Sequence, residues 1–289
     1  MSAEIGAVGI IGAGRLGCSL ALALHAAGYA LRAVASRSGA AAEALAGQLA
    51  GATAATPDAV VETCATVFLT VPDGAIASLA ASLPWRAGQS AVHCSGAIGL
   101  DALAAATEAG ALAGCLHPLQ SFPSRDGGAA RFRGIVCGIE APDPLAALLE
   151  TVARDLGGGV VRLEGVDRAR YHAAAVFASN YTVALAAAAG RAWELAGLPA
   201  AEAREALAPL LLATATNIAG QPLADALTGP VARGDLATLE RHLAALDIAL
   251  DGDPALAALY RSLGAQLLTL DLGHSKETVE RLRALFDGD

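Results

Sequence analysis

Residues 7–29 read AVGIIGAGRLGCSLALALHAAGY, and this stretch decides the fold class. Its first six residues are an apolar run with β-branched side chains, which predicts a short strand. Apolar residues recur at helical spacing after Gly17, which predicts a helix. Gly12, Gly14 and Gly17 lie at the junction with the spacing Gly-x-Gly-x-x-Gly. A strand, a glycine turn and a helix in this order are typical of a dinucleotide-binding loop, whereas the glycine spacing alone would be a weak signal.

Each glycine has its own task in such a loop. Gly12 forms the turn, Gly14 lets a pyrophosphate approach the backbone, and Gly17 lets the helix pack closely on the strand. Arg15 and Leu16 lie between them, where the helix offers free N–H groups and a positive dipole to phosphate. We therefore predict that the segment from Gly12 to Gly17 binds the pyrophosphate of a dinucleotide.

The residues at the end of the next predicted strand indicate whether the dinucleotide is NAD or NADP. NAD-binding proteins usually place Asp or Glu there, about 20 residues after the glycine loop, against the ribose hydroxyls. This chain has Ser36, Arg37 and Ser38. A carboxylate would repel a 2′-phosphate, whereas a guanidinium and two hydroxyls can bind it, so these residues favour NADP. The alternative is that Arg37 is an ordinary surface residue.

Composition limits the remaining classes of function. The net charge of −9 argues against a nucleic-acid partner, because phosphate contacts need a basic face. We expect no membrane partner, because Gly, Pro or charge interrupts the apolar stretches before roughly 18 residues. With no visible signal peptide and no CxxC pair among five cysteines, we expect a cytoplasmic location and reduced thiols. A metal site formed by His93-Cys94 and Cys115-x-His117 is the less favoured alternative, because neither pair has a zinc-site spacing.

The order of the predicted elements indicates the architecture. Strands and helices alternate through position 120, which predicts an α/β fold with a doubly wound, mostly parallel Rossmann sheet. Two further strands are predicted at 134–141 and 158–164. From Val166 onward apolar residues recur at helical spacing. We therefore predict an NADP-binding Rossmann domain over 1–164 and an all-helical substrate and dimerisation domain over 165–289.

Polar residues at the predicted strand ends mark a candidate site along the carboxyl edge of the sheet. One apolar strand stops at Thr70-Val71-Pro72, although a plain turn would read the same way. Ser95 and His117 follow two later strands, on the side where the nicotinamide would lie. Reduction of a carbonyl or imine needs a proton donor, and histidine suits that task near neutral pH. His117 is the first candidate, the alternative being a histidine that caps backbone groups in a turn.

The helical part adds candidates of its own. A helix is predicted over 167–189, in which His172 and Asn180 are eight residues apart, about 12 Å along the axis, and can face one cleft. Helix–helix hydrogen bonding would also explain Asn180. In the polar break TGPVARGD, Arg233 and Asp235 can pair with each other, Asp235 can cap the next helix, or Arg233 can bind a substrate carboxylate.

The stretch ALAPLLLATATNIAG is apolar on more faces than one monomer readily covers, which favours a homodimer. Burial of these helices within their own domain is the alternative.

Together, the glycine loop, LTVPD, VHCSGA, CLHPLQSF, YHAAAVFASNY and TGPVARGD resemble a known family. It comprises Rossmann-like NADP oxidoreductases with a C-terminal helical domain of unknown function. The family is related to pyrroline-5-carboxylate reductase, ketopantoate reductase and the 3-hydroxyacid dehydrogenases. The resemblance implies an NADP-binding domain and a helical dimerisation domain that resembles that of 6-phosphogluconate dehydrogenase.

The chain also departs from the characterised relatives. Hydroxyacid dehydrogenases and ketopantoate reductases carry a catalytic lysine four residues before an asparagine on the first interdomain helix. If Asn180 is that asparagine, the matching residue is Val176, so the lysine is absent and His172 is a possible substitute. The pair His117-Pro118 is similar to the His-Pro of prephenate dehydrogenases, whose histidine bonds the reacting hydroxyl. TGPVARGD falls where pyrroline-5-carboxylate reductases carry a substrate-binding loop, without its Ser/Thr pattern.

These features predict an NADP-dependent oxidoreductase. It would transfer a hydride between the nicotinamide and a small keto, imino or hydroxy acid held between the domains. His117 or His172 would act as general acid or base, Ser95 and Asn180 would orient substrate or carboxamide, and Arg233 would hold an anionic group. Since fold does not imply function, a non-catalytic NADP-binding redox sensor or interaction module is the alternative.

Overall fold

The computed structural model describes residues 5–125, 128–247 and 253–288. The chain packs as two compact units, Met1–Ser179 and Asn180–Asp289. The first unit includes residues 165–179, which the sequence assigns to the helical domain. The domain limits 1–164 and 165–289 stay a prediction, and the two packing units are described separately below.

An eight-stranded sheet forms the centre of the first unit. The strand order is β3-β2-β1-β4-β5-β6-β7-β8, and every pairing is parallel except the antiparallel one of β6 with β7. The predicted doubly wound, mostly parallel sheet is therefore confirmed. The strands are β1 Val8–Ile11, β2 Leu31–Ala35, β3 Thr53–Ala54, β4 Thr66–Leu69, β5 Ser90–His93, β6 Leu112–Pro118, β7 Val136–Glu140 and β8 Gly159–Arg162.

Helices cover both faces of this sheet, as the burial of its central strands requires. Every residue of β1, β4 and β5 is buried. One apolar core contains Leu20 and Leu149, and the other contains Val60 and Ile76. The helices of the first unit are α1 Arg15–Ala26, α2 Gly39–Ala46, α3 Pro57–Thr63, α4 Asp73–Ser82, α5 Ala104–Glu108, α6 Leu145–Asp155 and α7 Arg168–Ala178.

The second unit is helical throughout its described elements, as predicted. A small core of Val231, Leu239, Leu282 and Phe286 holds its C-terminal helices together. The helices are α8 Asn180–Leu195, α9 Ala200–Gly220, α10 Leu223–Ala226, α11 Pro230–Arg233, α12 Leu236–Asp247, α13 Pro254–Leu267 and α14 Lys276–Asp287.

The helix predicted over 167–189 has different limits in the structure. It is divided into α7 and α8 at Ser179, whose φ and ψ of −114° and −71° depart from regular helix. Ser and Asn side chains compete for backbone hydrogen bonds and favour helix ends, which explains a break at Ser179 and Asn180.

Large apolar side chains of α8 and α9 remain exposed. Val183 is 71% exposed, Leu210 65% and Leu212 69%. The run Arg168–Leu195 is also long and apolar enough to cross a membrane by length and composition alone. The expectation that Gly, Pro or charge interrupts every apolar stretch before about 18 residues was therefore wrong for this run.

Candidate functional site at the carboxyl edge of the sheet

The glycine loop joins β1 to α1 in a backbone path that only glycine fits at two positions. Gly12 has a φ of 121°, and a Cβ there would lie 2.5 Å from the carbonyl oxygen of Thr70, at the end of β4. A Cβ on Gly17 would lie 1.8 Å from the carbonyl oxygen of Gly12. The hydroxyl of Thr70 donates to that same oxygen at 2.7 Å. The loop therefore packs directly against the end of β4.

Gly14 differs from the other two glycines because the space next to it is open. A Cβ at this position would meet nothing within 4 Å. Gly14 faces a cavity of about 520 Å³ beside the N-terminus of α1. The open approach to the backbone suits a phosphate group, and the helix N-terminus supplies N–H donors. The cavity is lined by Gly14, Arg15, Leu16, Thr70, Val71, Pro72, Asp73, Cys94, Ser95, Ser121, Phe122 and Pro123.

A second cavity of about 730 Å³ continues the first toward the end of β2. The two share four lining residues, Gly14, Thr70, Val71 and Pro72. The end of β2 contributes the three residues predicted to select NADP, namely Ser36, Arg37 and Ser38. Arg37 is exposed, and Ser38 also caps α2 by accepting the N–H of Ala41 at 3.4 Å.

Arg125 adds a second guanidinium to this cavity from the segment after β6. Sequence reasoning missed it, because no local pattern links position 125 to the end of β2. Its positive charge in a loop was the one available signal. The groove thus carries a positively charged end, formed by Arg37 and Arg125, and a glycine-rich middle.

At the opposite end of the groove, β5 leads into a tight turn. His93 is fully buried, its Nδ1 accepts the N–H of Ser95 at 3.2 Å, and burial lowers its pKa to about 4. It is a neutral, structural histidine. The hydroxyl oxygen of Ser95 accepts the N–H groups of Ala97 and Ile98, both at 3.2 Å. Ser95 therefore shapes the turn and retains its own O–H as a donor.

His117 and His172 come together over this turn. A Cβ on Gly96 would lie 2.7 Å from His117 Nε2 and 2.8 Å from His172 Nδ1, and the two ring centroids are 6.3 Å apart. His117 Nδ1 is 2.9 Å from the hydroxyl of Tyr171. Burial, followed by electrostatic interaction with His172 and Arg168, lowers the pKa of His117 to about 4. The His117 ring is therefore neutral near pH 7.

Arg168 fixes α7 to the edge of the sheet. Its side chain is 10% exposed, and Nη2 donates to the carbonyl oxygens of Ser95 and Ile98 at 2.8 and 2.9 Å. Nη1 lies 3.7 Å from Glu140 Oε2. Nη2 also contacts Cys115 Sγ at 3.0 Å. The buried arginine holds the first turn of α7 against the turn that carries Ser95 and against strand β6, which carries His117.

Sequence reasoning assigned no role at the site to Arg168 or Tyr171. The available signal was spacing, because residues i, i+3 and i+4 share one helix face. Arg168, Tyr171 and His172 follow that spacing, and all three face the strand ends.

The cysteines near this site are protonated thiols. Burial raises the pKa of Cys94 well above its usual value and the pKa of Cys115 to about 11. Within the described residues, no three His, Cys, Asp or Glu side chains form a group that could hold a metal ion.

The sequence comparisons match two consecutive regions. Residues 2–118 match a Rossmann-like domain, and residues 135–267 match a domain of unknown function, DUF2520. The chain thus matches a Rossmann-like domain followed by DUF2520. A comparison with curated proteins finds no match.

Solved structures share this fold over nearly the whole chain. A Bacteroides fragilis protein to which NADP oxidoreductase activity is attributed is 29% identical, with 89% of this chain and 96% of that chain covered and a TM-score of 0.68. A Thermotoga maritima protein is 26% identical, with 97% and 98% covered and a TM-score of 0.67. A pyrroline-5-carboxylate reductase from Streptococcus pyogenes is 18% identical, with 96% and 98% covered and a TM-score of 0.63. At that identity the likeness shows the fold alone.

The DUF2520 region begins inside the sheet, so β7, β8 and α7 belong to it. Tyr171 and His172 are therefore DUF2520 residues, whereas His117 belongs to the Rossmann-like region. Their contact joins the two matched regions within the first packing unit.

The two remaining predicted site residues lie in the second unit. Asn180 begins α8, and Arg233 ends α11. Of the alternatives for the TGPVARGD break, capping is observed, because Asp235 accepts the N–H of Thr238 at 3.1 Å. The roles of Asn180 and Arg233 toward a substrate stay predictions.

Proposed function

We propose that this protein is an NADP-dependent oxidoreductase. It transfers a hydride between the nicotinamide and a small keto, imino or hydroxy acid bound beside His117 and His172. One observation carries the proposal. A groove runs from Arg37 past Gly14 to Ser95, and both histidine rings lie beside the next residue, Gly96.

The residues along the groove fit the parts of NADP in order. Arg37, Ser36 and Arg125 would bind the 2′-phosphate, because guanidinium groups pair with phosphate through charge-assisted hydrogen bonds. The segment from Gly12 to Gly17 would bind the pyrophosphate. When bound, the dinucleotide supplies or accepts the hydride. The Bacteroides fragilis relative supports this assignment, and a reductive aminase from Aspergillus terreus with the same fold was crystallised with NADPH.

The chain's own chemical task is to handle a proton at the reacting oxygen or nitrogen. His117 is the main candidate because its Nε2 faces Gly96, next to the Ser95 turn. With its pKa lowered to about 4, the ring is neutral and serves as a hydrogen-bond donor or a base, without carrying a stored positive charge. His172 stands beside it as the second candidate, and the free O–H of Ser95 would orient the substrate or the carboxamide.

The exposed surface of the second unit fits a second copy of the chain. Side chains of α8 and α9 line a cavity of about 750 Å³ with mainly apolar walls. Arg191, Glu194 and Arg204 also line it, and such charges are costly within a bilayer. A homodimer through these helices would cover the apolar walls and leave the charged side chains in an aqueous environment. A cytoplasmic location is part of the same proposal.

The proposal is tested by NADPH and NADH titrations followed by turnover assays on keto acids, cyclic imines and aldehydes. Turnover should prefer NADPH. His117→Ala should slow it by roughly 100-fold or more with little change in NADPH affinity, because a proton-handling group is lost and the cofactor site is intact. Collapse of NADPH binding in that variant would show that the assigned role is wrong.

A non-catalytic NADP-binding sensor is the second candidate. If Asn180 is the matching asparagine, Val176 occupies the position of the catalytic lysine in related dehydrogenases, and this substitution favours the sensor. Tight NADPH binding without turnover on any substrate, together with a His117→Ala variant that behaves like wild type, would support the sensor.

A further inference from the structure

The hydroxyl of Tyr171 is placed to control the protonation of His117. Its oxygen lies 2.9 Å from Nδ1, and the two rings meet edge to face at 78° with centroids 5.5 Å apart. The contact spans 54 residues and joins α7 to the end of β6. It therefore exists only in the folded chain and is held by the packing of α7 on the sheet.

A glycine on the neighbouring strand leaves room for this contact. Gly138 of β7 pairs with His117 across the antiparallel ladder. A Cβ on Gly138 would lie 2.6 Å from the Tyr171 hydroxyl oxygen and 2.7 Å from Leu163 Cδ1, so these side chains would have to shift. The backbone at position 138 thus accommodates the hydroxyl beside the imidazole.

Counting donors and acceptors gives the direction of the hydrogen bond. A neutral imidazole carries one N–H, and its other nitrogen accepts. Burial raises the pKa of Tyr171, so the phenol keeps its hydrogen and is able to donate it. Among the residues that the structure describes, His117 Nδ1 is the hydrogen-bond partner of this hydroxyl. Donation from Tyr171 to Nδ1 pairs the phenolic hydrogen with the ring nitrogen and leaves the imidazole hydrogen on Nε2.

We propose that Tyr171 is a positioning residue, which donates to Nδ1 of His117 and thereby keeps the imidazole hydrogen on Nε2. Nε2 is the ring nitrogen near Gly96, so this proposal places the substrate beside Ser95, within reach of the Nε2 hydrogen. In that tautomer His117 donates a hydrogen bond to an oxygen on which negative charge develops. The catalytic consequence rests on the proposed function, whereas the tautomer itself does not.

Arg168 supports the arrangement from the side. Its guanidinium carbon lies 5.9 Å from the centre of the Tyr171 ring, within the range of a cation–π contact. Because Arg168 is also bonded to the carbonyls of Ser95 and Ile98, the tyrosine ring is held between the helix and the strand ends.

The test is Tyr171→Phe in the full-length protein, which removes one hydroxyl and little else. The first measurement is the pair of imidazole ¹⁵N chemical shifts of His117. These two signals are assigned because they disappear in the His117→Ala variant. Wild type should show hydrogen on Nε2, and Tyr171→Phe should show a mixture of both tautomers. The turnover number should fall roughly 10-fold or more, since a mis-set tautomer impairs catalysis, while KM for NADPH stays within about twofold.

Tyr260→Phe is the matched control. It removes a similar Tyr–His bond, from the Tyr260 hydroxyl to His242 Nδ1 at 2.8 Å, in the second unit. It should change neither the His117 shifts nor turnover. In a His117→Ala background, Tyr171→Phe should have no further effect on turnover, because the two residues act as one unit.

Gly138→Ala tests the same contact without touching the tyrosine. The added Cβ should displace the hydroxyl and shift the His117 tautomers as Tyr171→Phe does, and this variant decides the question if Tyr171→Phe does not fold. Hydrogen on Nδ1 in wild type, or unchanged shifts in both variants, would overturn the proposal.

The two proposals fail in different ways. An Nε2–H tautomer that depends on Tyr171, in a protein without turnover on any substrate, would leave the positioning role intact and remove the proposed oxidoreductase function. Turnover that is unaffected by Tyr171→Phe would leave the proposed oxidoreductase function intact and remove the positioning role of Tyr171.

Discussion

Arg37 and Arg125 are two positive charges at one end of the groove, and each comes from a different loop. A single charge-assisted hydrogen bond is worth about 1.5–3 kcal/mol, and 1.4 kcal/mol corresponds to a tenfold change in affinity. Arg37→Ala should therefore weaken NADPH binding roughly 10- to 100-fold and leave NADH binding within about threefold. Fluorescence titration of both dinucleotides measures the ratio.

Two controls sharpen this comparison. Arg125→Ala should lower the NADPH preference in the same direction. Arg154→Ala removes an exposed arginine of α6 that pairs with Glu150, away from the groove, and should change neither affinity. Equal losses for NADPH and NADH in Arg37→Ala would contradict a role at the 2′-phosphate.

His93 and His117 give the stability a defined pH dependence. Both have a pKa lowered from 6.5 to about 4, chiefly by burial. Below pH 6.5 the unfolded chain therefore binds protons that the folded chain excludes, so the free energy of unfolding falls as the pH falls. The free energy of unfolding should fall between pH 6.5 and 4, by an amount that approaches about 3 kcal/mol per histidine.

Urea unfolding at a series of pH values measures this slope. His93→Asn should be less stable at pH 7 and show a shallower decline between pH 6.5 and 4, because one excluded proton is lost. His25 is half-buried on α1 and has no assigned role at the site, so His25→Asn serves as the control and should keep the wild-type slope. An unchanged slope in His93→Asn would contradict the burial of a neutral ring at this position.

The same glycine-to-alanine substitution should have different effects at two positions of the loop between β1 and α1. Gly17→Ala places a Cβ 1.8 Å from a backbone oxygen, so it should lower the free energy of unfolding by about 3 kcal/mol or more. Gly14→Ala meets nothing within 4 Å and should leave the melting temperature nearly unchanged. It should nevertheless weaken NADPH binding roughly 10-fold or more, because the methyl group occupies the approach of the pyrophosphate.

Thermal melts and NADPH titrations on the same two variants check this contrast. A Gly14→Ala protein that binds NADPH like wild type would show that the pyrophosphate does not approach the loop at this position.

The elements differ in how far the sequence predicts them. The strand and helix at residues 7–29 were predictable because periodicity and glycine spacing are local signals. The antiparallel pairing of β6 with β7 was not, since strand direction depends on the connection through residues 119–135. The packing of α7 on the sheet depends on Arg168 bonding to carbonyls about 70 residues earlier, which no local pattern encodes. His117 and His172 were therefore named from sequence, whereas Tyr171 and Arg125 emerged only from the fold.

Across the whole molecule, charge and apolar surface are distributed unevenly. The first unit buries both faces of its sheet, while α8 has no buried residue and α9 buries only Ala203 among its described residues. Exposed contiguous apolar surface on a protein with a net charge of −9 favours association with a partner of complementary shape. A second copy satisfies this requirement, because the same two helices then cover each other.

Leu210→Glu tests association at the scale of the whole molecule. Leu210 is 65% exposed on α9 and lines the cavity between α8 and α9, so a carboxylate there would be buried without a partner in a dimer. Light scattering should give twice the chain mass for wild type and the monomer mass for Leu210→Glu. Val161→Glu, which changes a 41% exposed residue on the edge strand β8 of the first unit, should stay dimeric. A wild-type monomer that binds lipid vesicles through this face would instead assign the apolar surface to a membrane.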